Sequence, residues 1–221
     1  PRMPPESIDE VPAERRPASD KAVWIGGYWG WDAQRKAFVW VSGVWRVPPP
    51  GRRWVPGYWK EVDGGAQWVS GFWAPGDQDD VEYLPEPPDS LEVGPSSPAP
   101  SEDDFWVPGY WTWGGERYAW KPGRWSACYE GWVWIPSHYA WTPGGCVFVG
   151  GYWDYPLEDR GFCFAPIYYR QPIYLAPSYV YSPYVCYDNA YFTSHLWLYP
   201  GYRHFYYGNY YGAYGGLGLY P

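Results

Sequence analysis

Trp54-Val-Pro-Gly-Tyr-Trp59-Lys-Glu-Val-Asp-Gly-Gly-Ala-Gln-Trp68-Val-Ser-Gly-Phe-Trp73 is nearly palindromic, its aromatic residues falling on one another when the segment is folded about its middle. Each half is a W-x-x-G-x-W motif. Between the halves stands Asp63-Gly64-Gly65, and Gly and Asp tolerate the positive φ that a tight hairpin turn needs. Antiparallel partners have residue numbers with a constant sum, so a turn near Gly64 sets Trp59 opposite Trp68 and Trp54 opposite Trp73. Such aromatic cross-strand pairs contribute roughly 0.2–1 kcal/mol each and penalise a slip of register. The segment predicts a hairpin laddered by tryptophan.

Two features resist a plain strand. Pro at the third motif position removes a ladder hydrogen bond, and the spacing of the two Trp puts them on opposite faces of an ideal strand. A bulge at the Pro-Gly or Ser-Gly step eases both, because an extra residue restores the face. The rival arrangement turns the chain at Val-Pro-Gly-Tyr, where Pro-Gly fits a type II turn, although such a turn twists against a tight hairpin. The bulged strand is the favoured reading.

The motif recurs outward from this segment. Trp24–Trp29 and Trp40–Trp45 precede it, Trp106–Trp111 and Trp120–Trp125 follow, and two degenerate copies close the series at Trp134–Tyr139 and Phe148–Trp153. Start-to-start spacings are 16, 14 and 14 in the first block, then 14, 14 and 14 in the second. Further turn signals stand at Gly114-Gly115-Glu116, Glu130-Gly131 and Pro143-Gly144-Gly145. With each copy one strand and each signal one turn, the chain is all-β. It forms two four-stranded antiparallel meander sheets of 14-residue Trp repeats, an extended Pro-rich arm and a Tyr/Pro-rich C-terminal region.

Composition agrees with order rather than disorder. Gly and Pro number 27 each, but 24% of the chain is aromatic, and disordered segments are poor in such residues. No window sustains a helical period, and no apolar run approaches a membrane span. Net charge is −8 with no basic stripe, which leaves nucleic-acid binding without support. Residues 1–21 read as an extended or disordered arm, 22–75 as the first sheet and 76–103 as an acidic, Pro-rich linker. Residues 104–155 read as the second sheet and 156–221 as a Tyr/Pro/Gly-rich C-terminal region. The chain starts at Pro1 rather than Met, from which a processed N-terminus is expected.

These eight copies resemble the secreted W-x-x-G-x-W (also Y-x-W-G-x-W) repeat proteins of bacteria, planctomycetes among them. The stretch Leu196-Trp-Leu-Tyr-Pro-Gly-Tyr-Arg-His-Phe-Tyr-Tyr-Gly-Asn-Tyr-Tyr211 is similar to a C-terminal stretch of those proteins. The resemblance implies export and a cell-envelope or extracellular setting. It carries over no activity and no catalytic residue, and it implies that this chain is a segment of a longer protein.

Catalytic patterns are missing from the text: no nucleophile elbow, phosphate loop or dinucleotide fingerprint. His138, His195 and His204 sit in aromatic surroundings and read as packing histidines. The acidic pairs Asp79-Asp80 and Asp103-Asp104 read as solvated charge, Gly114-Gly115 reads as a turn, and Asn189 and Asn209 lie in no glycosylation sequon. Cys128, Cys146, Cys163 and Cys186 lack zinc spacing and are candidates for two disulfides, with buried thiols the alternative. Under the bulged-strand arrangement Cys128 and Cys146 fall at opposite ends of a sheet, so Cys128 is expected to pair with Cys163 or Cys186, if at all.

The expected function is therefore that of a non-catalytic structural protein, without cofactor or metal, outside the cell or at its surface. Its edge motifs, Trp24–Trp29, Trp68–Trp73, Trp106–Trp111 and Phe148–Trp153, carry no charge to block strand addition. Either the chain covers them itself or copies of it assemble, a homopolymer in which the arm makes the contact. The other function class is a carbohydrate-binding or adhesive module, with glycans as partners of exposed Trp and Tyr.

Overall fold

The computed structural model describes residues 1–221 except 79, 203, 209–215, 217, 218 and 221. Asp79 of the acidic pair, Asn209 and the 209–215 part of the tail therefore lie outside the described residues. The chain is mostly β, in small antiparallel sheets.

Copies pair two by two. Hairpin I comprises β1 (Val23–Ile25), β2 (Tyr28–Asp32), β3 (Ala37–Val41) and β4 (Val44–Arg46); hairpin II comprises β5 (Arg52–Val55), β6 (Tyr58–Val62), β7 (Gly65–Val69) and β8 (Phe72–Pro75). Hairpin III runs through β9 (Asp104–Val107), β10 (Tyr110–Trp113), β11 (Tyr118–Lys121) and β12 (Arg124–Ala127). Hairpin IV holds β13 (Val133–Ile135), β14 (His138–Thr142), β15 (Gly145–Val149) and β16 (Tyr152–Asp154). In each, the inner strands pair with each other and the outer strands with each other. The register is the expected one, with Trp59 opposite Trp68, Trp54 opposite Trp73, Trp111 opposite Trp120 and Trp106 opposite Trp125. Trp29 faces Trp40, Trp24 faces Trp45, Trp134 faces Trp153 and Tyr139 faces Phe148. All eight pairs hold ring centroids 5.1–5.7 Å apart, inclined by 52–79°, five of them in the edge-to-face geometry that aromatic quadrupoles favour and three tilted.

The strand is broken rather than bulged. At motif positions three and four the ladder stops on both strands at once, as at 56–57 facing 70–71. This symmetric waist explains the prolines: an N–H that serves no ladder can be absent without cost. It also explains the glycines. A Cβ on Gly57 would lie 2.6 Å from Trp68 Cζ2, and one on Gly71 would lie 2.5 Å from Trp54 Cζ2. The first Trp of each copy lies over the Gly of its partner, so the motif is one interlocking unit written twice.

The four-stranded meanders do not form. Copies two and three are joined by Val47-Pro48-Pro49-Pro50-Gly51, which cannot make a tight hairpin because three successive prolines fix φ and supply no N–H. Glu130-Gly131 is a turn, with Gly131 at φ +76°, but it links hairpin III to IV without pairing them. Hairpins instead dock through side chains. Tyr28 stacks on Trp68 at 4.5 Å, and Trp59 Nε1–H donates to the Trp29 carbonyl at 2.7 Å. The second block repeats the arrangement: Tyr110 stacks on Phe148 at 5.7 Å, and Tyr139 Oη–H donates to the Trp111 carbonyl at 3.0 Å.

The arm and the linker are packed, contrary to the expectation of an arm free to reach out and a solvated connector. Ile8 joins Trp29, Trp40 and Tyr181 in one core cluster, and buried Leu84 of the linker bridges Cys146. Apolar anchors in both segments outweigh their ordering cost. The tail covers sheet edges: β17 (Gly161–Phe162) pairs with β4, and Ile167 exchanges two backbone hydrogen bonds with Trp40. The short helix α1 (Asn189–Thr193) then leads to a hairpin of β18 (Leu196–Tyr199) and β19 (His204–Tyr207).

Candidate functional site

A waist frees backbone N–H groups from the ladder, and buried donors need acceptors. Hairpin I finds its acceptor in the arm. Glu10 receives the Gly27 N–H at 2.6 Å, the Gly43 N–H at 3.0 Å and Trp40 Nε1–H at 3.0 Å. Hairpin III is served by the linker, where Glu92 receives the Gly109 N–H and, at 2.9 Å, Trp106 Nε1–H. Hydrogen bonds to an ionised acceptor are roughly twice as strong as neutral ones, so one carboxylate closes each waist.

The match extends along the whole segment, which we call a strap. Trp29 Nε1–H donates to the Glu6 carbonyl at 2.9 Å and Trp45 Nε1–H to the Ala13 carbonyl at 2.8 Å. On hairpin III, Trp111 Nε1–H donates to Asp89 at 3.0 Å and Trp125 Nε1–H to Ser97 at 3.1 Å. In hairpins I and III the sixth-position Trp of both copies thus holds strap backbone, while one first-position Trp, from the second copy in I and the first copy in III, holds the carboxylate. The straps are related in sequence: Pro4-Pro5-Glu6-Ser7-Ile8-Asp9-Glu10-Val11 against Pro87-Pro88-Asp89-Ser90-Leu91-Glu92-Val93. Glu10 and Glu92 are the functional residues that motif reading missed. The signal was this second, shorter repeat, hidden in text that looked like solvated charge.

Hairpin IV closes its waist from within. Ser137 stands where other copies have Gly, and its Oγ accepts the Gly151 N–H at 2.9 Å. The ring facing Ser137 is Phe148 rather than Trp, which leaves room for a Cβ. The two degeneracies of the last copies compensate each other. Tyr139, the third departure, has its phenol pushed up by burial and by Tyr118, and so stays the donor that its bond to Trp111 requires. Hairpin II has a waist but, among the described residues, no strap.

Other candidate residues do not converge on a site. All four cysteines are thiols, so the expected bridge from Cys128 to Cys163 or Cys186 is not formed. Cys128 is exposed, while burial pushes the thiols of Cys146, Cys163 and Cys186 up. His204 bonds the Trp106 carbonyl; His138 is exposed and its Nδ1 lies 3.0 Å from the Pro136 carbonyl oxygen, and His195 Nδ1 lies 2.9 Å from that of Tyr191. Among the described residues, no group of three or more His, Cys, Asp or Glu side chains could hold a metal ion, and no helix is long and apolar enough to cross a membrane.

A family model described as "WXXGXW repeat (2 copies)" matches the chain four times, at residues 23–46, 51–74, 105–126 and 131–154. No curated protein and no solved structure matches it. Each match coincides with one hairpin to within two residues at its ends, and the protein thereby carries four WXXGXW repeat units.

Proposed function

We propose that this protein is a non-catalytic structural protein of the cell surface or extracellular space that assembles with copies of itself, its repeat hairpins serving as clasps for extended acidic straps. The observation that carries the reading is the twofold use of one clasp: hairpins I and III hold related straps through equivalent sixth-position indoles and a glutamate bonded by one first-position indole. A strap belongs to the chain but not to the hairpin it closes. The same contacts can be made by a neighbour's strap, and exchange of identical elements is a low-cost route to oligomers. Strap and hairpin of one chain meet at high effective concentration, so the closed form dominates when dilute and exchange grows with protein concentration.

The sugar-binding alternative rests on exposed Trp31, Trp132 and Trp141. The eight ladder pairs are inclined by 52–79° rather than coplanar, so assembly is the better-supported reading. Sedimentation of the full chain over a wide concentration range, with electron microscopy of the concentrated sample, tests it. Polymers that grow with concentration are expected, and deletion of residues 1–21 is expected to abolish or weaken them. A full chain that stays monomeric at high concentration overturns the proposal.

A further inference from the structure

Hairpin II repeats the waist of hairpins I and III in its donors. Gly57 and Gly71 face each other so closely that a Cβ on either would lie 2.8 Å from the other's backbone nitrogen; the equivalent distance from Gly109 to the Gly123 nitrogen is 3.0 Å. The rings of Trp68 and Trp54 lie on these glycines by their Cζ2 edge, next to the indole N–H, as the Trp24 ring lies on Gly43 at 2.5 Å. Yet among the described residues no side chain accepts from the Gly57 or Gly71 N–H, and no Ser substitutes as in hairpin IV. Pro56 and Ser70, which flank the glycines, are exposed. Tyr28, stacked on Trp68, walls one side without sealing it, being itself 40% exposed.

We infer that the waist of hairpin II is an open carboxylate site that takes, in trans, a glutamate on an extended, proline-rich strand of the strap type. The chemistry is that of the two filled waists. Convergent backbone N–H groups with an indole N–H favour an anion, and a Pro-rich strand loses little entropy on docking because it is already extended. The inference rests on the clasp reading above, but it concerns a hairpin that the described residues of its own chain leave unfilled. It therefore requires no strap to leave its place.

The test uses the full chain, ¹⁵N-labelled, and a synthetic peptide of residues 87–95 with blocked ends. We expect saturable shifts of the Gly57 and Gly71 amides and of the Trp54 and Trp68 indole N–H. A peptide carrying Glu92→Gln should bind at least about tenfold more weakly, since it loses the charge in those hydrogen bonds. Unmoved Gly57 and Gly71 signals, or equal binding of the two peptides, overturn the inference. Shifts confined to Gly27, Gly43 and Gly109 also overturn it, because the peptide is then displacing the resident straps; the clasp reading survives that result. The source is read without peptide. The occupant is a partner other than this chain, whose own straps stay docked: Gly57 and Gly71 signals of the full chain alone should not move with concentration, and concentration-dependent shifts there overturn the inference.

Discussion

At the scale of single residues, the motif reduces to one steric rule. Gly at position four is required by space, for none of the waist glycines discussed has positive φ; the ring of the partner copy occupies the place of its Cβ. Turn glycines differ, as Gly64 at φ +84° shows. The rule makes the Ser137/Phe148 pair a natural double variant. Phe148→Trp alone should drive an indole edge into Ser137 and cost about 1–3 kcal/mol, the usual range for overpacking. Adding Ser137→Gly should recover most of that loss, since contacting residues couple by about 0.5–3 kcal/mol. Chemical denaturation of the wild type, both single variants and the double variant gives the coupling, and additive effects would sink the rule.

At the scale of elements, the hairpins were legible and their partners were not. The palindrome of Trp54–Trp73 fixes a turn and a register by number alone, because strand pairing obeys a constant sum. The count of strands per sheet failed because it assumed that every turn-forming residue closes a hairpin, whereas Pro48-Pro49-Pro50 and Glu130-Gly131 only connect. The turn of hairpin I went unnoticed for the opposite reason. It contains no Gly: the Asp32 side chain accepts the Gln34 and Arg35 N–H groups at 2.9 Å, and Lys36 takes φ +51°. Straps are invisible to a search for periodicity, since their fold is supplied by the hairpin they close.

The β18–β19 hairpin offers a prediction at this same scale. His204 Nε2 bonds the Trp106 carbonyl of hairpin III; burial holds its pKa below the ordinary 6.5, with the Trp106 carbonyl opposing. The folded state therefore binds fewer protons than the unfolded one, and stability rises with pH across this interval. The contribution is full above pH 6.5 and is lost as pH falls through the lower, folded-state value. Amide exchange across 196–207 should speed up between pH 7.5 and pH 5 beyond the intrinsic rate change, relative to hairpin II. His204→Gln, which cannot take up the proton, should abolish the difference. An unchanged profile in that variant would refute the assignment.

Across the whole molecule, the two blocks are joined by a small core and a buried ionic junction rather than by a shared sheet. Phe72 and Ala74 of hairpin II pack on Val147 and Val149 of hairpin IV, and Arg52 Nη2–H donates to the Gly150 carbonyl at 2.8 Å. Beside them Asp154, 2% exposed, binds Arg46 of hairpin I at 2.5 Å and Arg160 at 3.2 Å. One carboxylate thus ties the first hairpin, the last hairpin and the start of the tail that covers β4. Removing one member of a buried charge pair costs about 3–5 kcal/mol, because the remaining charge loses its compensation. Asp154→Asn strands two guanidiniums at once and should reach that range. It should also free the tail, so that proteolysis near Arg160 quickens while the Trp pairs of hairpins I and III keep their near-ultraviolet signature. Asp154→Leu with Arg46→Met and Arg160→Leu should recover most of the stability, since an apolar replacement of a whole buried network is often neutral or better. An Asp154→Asn loss below about 1 kcal/mol, the range of a surface ion pair, would mean that the blocks are held by their apolar contact alone.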